Sequence, residues 1–158
     1  MNPAIPNKVD SMKELNPSEE LKHLKAIYGE DSPAGVYNAL ISAFTIIQTR
    51  GQILLSLATI CLTITGFSGP KIAESNSISR YCIALGLVFV LISIAVVLSG
   101  PMRIKWLTQL YLENMDKTME ELIQRRNVKT KQYHQAMVWL GIGLFFYVLS
   151  VVSFLIKG

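Results

Sequence analysis

Residues Tyr81 to Gly100 read YCIALGLVFVLISIAVVLSG, a run that contains no Asp, Glu, Lys or Arg. A helix needs about 20 predominantly apolar residues to cross a hydrocarbon core roughly 30 Å thick. A buried helix of a soluble bundle would instead carry a polar stripe along one side. This run therefore predicts a membrane span.

Two further uncharged blocks flank this one. Ala136–Ile156 reads AMVWLGIGLFFYVLSVVSFLI, which is long enough to cross a bilayer. Ile53–Gly69 reads ILLSLATICLTITGFSG and would measure about 26 Å as a helix, so it crosses only if helix continues at either end. The sequence predicts an all-α polytopic membrane protein with three transmembrane helices, at about 53–69, 81–100 and 136–156.

Composition agrees with a membrane protein that forms a single domain. Of the 158 residues, 51% are hydrophobic and 16% charged, whereas about 25% are charged in soluble domains. Residues 1–35 contain six acidic side chains and no apolar core, so we expect no cleaved secretory signal. We divide the chain into an N-terminal segment, 1–32, and a transmembrane helical domain, 33–158.

The basic residues predict the orientation. Twelve of the fifteen lie in 1–52 or 101–135, and only Lys71, Arg80 and Lys157 fall on the other side. The positive-inside rule then places the N-terminus and the 101–135 segment in the cytoplasm and the C-terminus outside, in the cell's inner or plasma membrane. The outer loop, 70–80, is too short to hold a domain.

The cytoplasmic segments carry amphipathic helix patterns. Asn16 and Pro17 begin a short helix over 17–28 that Gly29 ends. A second helix should run from Pro33 to about Gly69, with one apolar face in its first half formed by Tyr37, Leu40, Ile41, Phe44 and Ile47. We expect another surface to pack against that face: another chain, the second cytoplasmic segment or the lipid headgroups.

The 101–135 segment should fold back on itself or lie along the membrane surface. A straight helix from Pro101 to Arg126 would reach about 39 Å from the membrane, and the stretch to Ala136 recovers only about 15 Å. Thr118-Met-Glu-Glu121 has the capping-box pattern. We therefore expect a helical hairpin with its reversal near 114–118 and a helix start at Thr118.

Signatures of catalysis and of cofactor binding are missing from the sequence. His23 and His134 have no acidic or thiol residue at metal-ligand spacing. His134 fits a polar residue at the membrane boundary better than a haem ligand or pH sensor. Cys61 and Cys82 should lie too far apart in depth to form a disulfide. We predict no catalytic, cofactor or metal site, no small-molecule substrate, and no ionisable group at membrane depth.

Small residues recur every seven positions within each span, which is the spacing of a helix-packing seam in a left-handed bundle. The predicted seams are Ser56 and Thr63 in the first span, Gly86, Ser93 and Gly100 in the second, and Ala136, Gly143 and Ser150 in the third. They could pack within the chain or between chains. Tyr147 lies near the third seam and should bond to a hydroxyl such as that of Thr63 or Ser93.

Basic residues near the inner membrane boundary are candidate contacts for anionic lipid headgroups. They are Arg103, Lys105, Arg125, Arg126, Lys129 and Lys131. Alternatively, these basic residues could form a specific binding site for an anionic ligand or for an acidic partner. Nucleic acid is not expected as a partner, because no aromatic platform interleaves with these charges.

The stretch IQTRGQILLSLAT, Ile47–Thr59, runs from an amphipathic helix into a compact transmembrane hairpin. Over residues 34–100 this arrangement resembles the SLATT and Pycsar-type small membrane effectors of bacterial antiphage systems. The resemblance implies permeabilisation of the membrane after a cytoplasmic signal, with the spans forming the pore. The third span and the lack of a recognisable fused sensor domain depart from that plan.

Two functions fit the sequence. The preferred one is a non-catalytic accessory or scaffold subunit, whose spans pack against other membrane helices and whose cytoplasmic helices bind a partner. The alternative is a homo-oligomeric pore or membrane-permeabilising effector triggered from the cytoplasmic side, for which Ser56, Thr59, Thr63 and Thr65 supply hydroxyls. In both, the expected partners are membrane lipids and either other membrane subunits or copies of this chain.

Overall fold

The protein is described by a computed structural model that covers residues 15–29, 33–102 and 114–157. Its four helices are α1 (Pro17–Tyr28), α2 (Pro33–Ser75), α3 (Ser77–Ser99) and α4 (Met115–Lys157). Within these described ranges the chain is helical apart from short connections, with no strand. Three of the helices, α2, α3 and α4, are long and apolar enough to cross a membrane, which confirms the predicted all-α architecture and indicates a membrane location.

Helix α1 begins and ends where its flanking residues dictate. The Glu19 carboxylate accepts a hydrogen bond of 3.2 Å from the backbone N–H of Asn16, and Pro17 occupies the first helical position, where its missing N–H costs nothing. Gly29 has a φ of +95°, a backbone conformation that glycine adopts without strain. The helix therefore stops at Tyr28.

Helix α2 extends further than the sequence indicates. It passes through Pro70 and reaches Ser75, so the predicted outer loop 70–80 is wrong: it is helical except at Asn76. The Asn76 side chain accepts from the backbone N–H of Ile78 at 3.1 Å and caps α3. Pro70 has no N–H to donate to the carbonyl of Gly66, yet the helix continues through it.

Helix α4 begins three residues before the predicted capping box. The backbone N–H of Asp116 donates to the Asn114 side chain at 3.0 Å, so Asn114 caps the helix. The Thr118 hydroxyl donates to the Asn114 carbonyl at 3.1 Å, so α4 is already helical at Thr118 and its start lies within the predicted reversal, 114–118. The first arm of the predicted hairpin lies outside the described residues over 103–113.

The three long helices pack side by side around a core that runs along their apolar parts. Its buried members are Leu54 and Ala58 of α2, Val90 and Val97 of α3, and Ala136 and Leu140 of α4. Phe89 of α3 stacks between Trp139 and Phe146 of α4, with ring centroids 5.5 and 5.7 Å apart. The helices α3 and α4 therefore form the most tightly joined pair.

A second core lies at the end of the molecule that carries α1, which we call the polar end; the opposite one is the Asn76 end. The polar end consists of α1, residues 33–52 of α2 and residues 115–135 of α4. Six buried side chains from these three segments pack together: Leu21, Val36, Leu40, Met119, Leu122 and Ile123. The amphipathic part of α2 is therefore covered by residues of the second cytoplasmic segment in α4, which was one of the three predicted alternatives, and by α1, which was not among them.

Candidate functional site

The predicted seams of the second and third spans pack against each other. A Cβ placed on Gly86 of α3 would lie 2.9 Å from the carbonyl oxygen of Gly143 on α4, and one on Gly143 would lie 2.9 Å from that of Gly86. Two glycines at the crossing let the backbones approach this closely. At this contact α3 and α4 therefore pack backbone against backbone.

Serine residues extend this seam in both directions. The Ser93 hydroxyl donates to the Ala136 carbonyl at 2.7 Å. Towards the Asn76 end, the Ser150 hydroxyl donates to the Ser79 carbonyl at 2.9 Å. All four residues are buried, and such bonds stabilise helix pairs where water is absent.

At the polar end the same seam closes over Gly100, where an added Cβ would collide with the side chain of Gln132. The structure therefore brings six of the predicted seam residues together within one chain: Gly86, Ser93, Gly100, Ala136, Gly143 and Ser150. These residues are occupied by intrachain packing, and they are not available to an outside helix.

The first-span residues Ser56 and Thr63 do not join this seam. Both are exposed, and their hydroxyls donate to the carbonyls of Gln52 and Thr59 in their own helix. The side of α2 that packs on α3 and α4 is instead apolar or small: Gly51, Leu54, Ala58, Gly69 and Ile72 are buried there. Within one chain, therefore, Ser56 and Thr63 form no seam, and their packing between chains stays a prediction.

Ser56 and Thr63 belong to a longer row of exposed, uncharged residues, which we call the α2 polar face. Its members alternate at spacings of three and four and are Asn38, Ser42, Thr45, Thr49, Gln52, Ser56, Thr59, Thr63 and Gly66. The six hydroxyl groups each donate to a carbonyl one turn earlier at 2.9–3.0 Å. The row is about 42 Å long.

The α2 polar face points away from the rest of the molecule. At 3.6 residues per turn, the midpoint between Ser56 and Thr59 lies about 150° around the helix from that between Leu54 and Ala58. Exposed polar side chains are expected at the polar end, which is predicted to lie outside the membrane. The residues from Ser56 to Gly66, in contrast, fall within the predicted membrane span. Thr65, which the sequence grouped with them, lies elsewhere: it is half-buried and donates to the Cys61 carbonyl at 2.7 Å.

An exposed apolar row runs beside the α2 polar face along the same span. It consists of Ile53, Leu57, Ile60, Ile64 and Phe67, and Phe67 has 86% of its surface exposed. These side chains suit lipid contact. Helix α2 therefore has three different sides: one packs within the chain, one is apolar and outward, and one is polar and outward.

Three of the four candidate anion contacts that the structure describes are engaged inside the chain. Arg126 makes a two-pronged contact with Glu20 of α1, at 2.6 and 2.8 Å. Arg125 pairs with Glu121 at 3.0 Å. Lys131 is exposed, and Arg103 and Lys105 lie outside the described residues.

Lys129, another candidate anion contact, reaches back into the protein. Its Nζ donates to the Pro101 carbonyl at 3.3 Å and stands 5.7 Å from the centre of the Phe44 ring. Burial lowers the pKa of Lys129 below its ordinary value, because a charged amine is costly to remove from water. The structure thus gives Lys129 a packing role between α4, α2 and the end of α3.

Two ion pairs that hold α1 in place were not predicted from the sequence. Glu20 with Arg126 is one, and Lys25 with Asp116, 2.7 Å apart, is the other. The paired residues are about a hundred positions apart along the chain, and no local pattern predicts contacts at that range. Only the opposite charges of α1 and the start of α4 could have indicated them.

The remaining candidate residues are the two cysteines, the two histidines and Tyr147. Cys61 and Cys82 are free, as predicted, and His23 and His134 are exposed. Tyr147 bonds to Ser68 at 3.3 Å, and not to Thr63 or Ser93 as predicted. In the ranges that the structure covers, no three His, Cys, Asp or Glu side chains are placed to hold a metal ion.

Comparison of the chain with protein-family models, curated proteins and solved structures finds no match. The similarity to SLATT and Pycsar-type effectors therefore stays a resemblance.

Proposed function

We propose that this protein is a non-catalytic integral membrane protein whose copies associate through the α2 polar face and permeabilise the membrane. The observation that carries the proposal is the row Ser56, Thr59, Thr63 and Gly66, exposed on the side of α2 that faces away from α3 and α4. Helix α2 is also the least apolar of the three spans.

The chemistry of this row suits a water-filled path. Each hydroxyl hydrogen is used by its own backbone, so the side chains are tolerated within a bilayer, while their oxygen lone pairs stay open to water. Pores can be lined by hydroxyls and carbonyls without any charged group. In a ring of copies, the α2 polar faces would line the path and the neighbouring apolar row would meet lipid or an adjacent copy.

The orientation belongs to the same proposal. The bias of Lys and Arg puts the polar end in the cytoplasm and the C-terminus outside, in the inner or plasma membrane of the cell. A signal would then reach the protein at α1 and the amphipathic parts of α2 and α4.

An accessory or scaffold subunit is the second candidate function. Hydroxyl and small residues also favour packing of unlike membrane helices, so the α2 polar face supports this function too. The other part of that hypothesis, a partner held by exposed cytoplasmic helices, has less support, because the apolar faces of α1, α2 and α4 cover one another at the polar end.

Ion flux from liposomes containing the purified full chain tests the proposal. Thr59→Val with Thr63→Val removes two hydroxyls from the α2 polar face without changing side-chain shape, and should lower flux several-fold. Thr65→Val is the matched control, because it removes a hydroxyl from the opposite side of the same span. The accessory subunit would be favoured by two results together. The unmodified protein would show no ion flux, and native mass spectra would show single chains bound to unlike subunits.

A further inference from the structure

Helix α1 is held onto the polar end by a small apolar contact, to which Leu24 and Tyr28 contribute partly buried or closely packed side chains, and by two ion pairs. Leu21 is its one fully buried side chain among the residues described for this helix. Two ion pairs add to it: Glu20 with Arg126, and Lys25 with Asp116. All four charged side chains keep contact with solvent, and Asp116 is 54% exposed.

The surface beneath α1 is strongly apolar. Val36 and Leu40 of α2 and Met119, Leu122 and Ile123 of α4 are each no more than 2% exposed. They form one cluster with Leu21. Without α1, a groove between α2 and α4 would face water.

Packing is incomplete at the end of α1 nearest its connection to α2. A cavity of about 200 Å³ lies there, lined by Lys25, Gly29, Pro33, Val36, Met115, Asp116 and Met119. This pocket is partly open to solvent and has room for water, so α1 and the surface beneath it are not in direct contact there. Beside this pocket, the end of α1 is held by the Lys25–Asp116 ion pair and by Tyr28, whose side chain lies close against Gly35 of α2.

We propose that α1 is an autoinhibitory latch: a short helix that covers the groove between α2 and α4 and is released when its two ion pairs are screened or competed for. Ion pairs in contact with solvent weaken as salt rises. A helix of 12 residues is marginal by itself in water, so α1 should unfold when it leaves the groove. Local opening of this kind draws on the least stable part of a fold.

The latch also links α1 to activation of the proposed pore. Val36 and Leu40, which α1 covers, belong to the same helix as the α2 polar face. Release of α1 would free the polar end of α2 to move relative to α4. The autoinhibitory role of α1 rests on the proposed function, whereas its release from the groove when the ion pairs are lost does not.

Charge reversal in the full chain, embedded in lipid nanodiscs, tests the latch. The variants are Glu20→Arg, Arg126→Glu and the two together, which restores opposite charges in exchanged positions. One readout is hydrogen exchange of the α1 amides. The other is oxidation by dilute peroxide of Met119, which lies in the groove at 1% exposure, relative to Met115, which is 52% exposed.

Each single reversal should raise both α1 exchange and the Met119 oxidation rate about tenfold, as expected when a two-pronged charge-assisted contact is lost. The exchanged pair should return both rates to within a few-fold of the unmodified protein. Lys22→Glu, a reversal at an exposed position of the same helix, should leave both unchanged.

Three results would overturn the proposal. The first is no change in either single variant, and the second is failure of the exchanged pair to restore protection. The third is faster exchange of α3 in step with α1, which would make α1 an integral part of the fold. Lys25→Asp with Asp116→Lys repeats the comparison at the other ion pair, in case Glu20→Arg does not fold. Liposome flux is not a readout here, so a failure of the proposed pore would leave these results unaffected.

Discussion

Gly86 of α3 lies directly against Gly143 of α4, and a Cβ on either residue would come within 2.9 Å of the other's carbonyl oxygen. Real side chains essentially never approach backbone this closely. The pair therefore fixes how near the two helices can come, and it sets the register of Ser93 against Ala136 and of Ser79 against Ser150.

Gly143→Ala should destabilise the protein, because the new methyl group would also lie 2.8 Å from Val90. Overpacking of this kind typically costs about 1–3 kcal/mol, and thermal unfolding in detergent measures it. Gly141→Ala is the control: it lies two positions away, with open space around it. Equal stability of the two variants would show that α3 and α4 do not cross at these glycines.

Tyr147→Phe should cost about 0.5–1 kcal/mol of stability. The Ser68 hydroxyl already donates to the Ile64 carbonyl at 2.8 Å, so Tyr147 is the donor in their 3.3 Å contact. Tyr81→Phe, at a tyrosine that is 70% exposed, serves as the control in the same thermal melt. A loss no greater than that of the control would argue against the Ser68–Tyr147 bond.

The pH dependence of stability should change when Lys129 is replaced by Met. Burial lowers the pKa of Lys129 in the folded protein, while the unfolded chain keeps the ordinary value of 10.5. Between these two values the unfolded state binds more protons, so the unfolding free energy rises with pH there. The stability of the unmodified protein relative to Lys129→Met should increase as the pH approaches 10.5.

Lys131→Met is the matched control for this measurement, because Lys131 is exposed on the same helix. Its stability relative to the unmodified protein should not vary over that pH range. A flat difference for Lys129→Met as well would mean that the Lys129 amine is in free contact with water.

The helical architecture could be read from the sequence because its signals are local. Long uncharged runs identify spans by themselves, and Pro33 marks the start of α2. Small residues at Gly86, Ser93 and Gly143 also predicted a close seam. Their periodicity could not tell whether the partner helix belongs to the same chain, because the pattern is equally satisfied by either.

Two features could not be read from local rules, because tertiary structure decides them. Pro70 suggested a loop, but α2 continues through it to Ser75. Ser56 and Thr63 have the same spacing as the α3 seam, yet they lie on the opposite side of their helix from the core. Spacing defines a face of a helix but not which face the rest of the protein covers.

Labelling of single cysteines along α2 tests the central claim most directly. In a Cys61→Ala, Cys82→Ala background, cysteine would replace Ser56, Thr59 or Thr63 of the α2 polar face, or Leu57, Ile60 or Ile64 of the neighbouring apolar row. A charged thiol reagent that does not enter lipid reacts only with a thiolate in contact with water.

The measurement is made on liposomes with and without the added change Glu20→Arg, which opens the proposed latch. The account predicts that the three α2 polar face positions are labelled, and that labelling blocks ion flux, while the three apolar positions stay unlabelled. Labelling of the α2 polar face no faster than that of the apolar row, in both backgrounds, would contradict it.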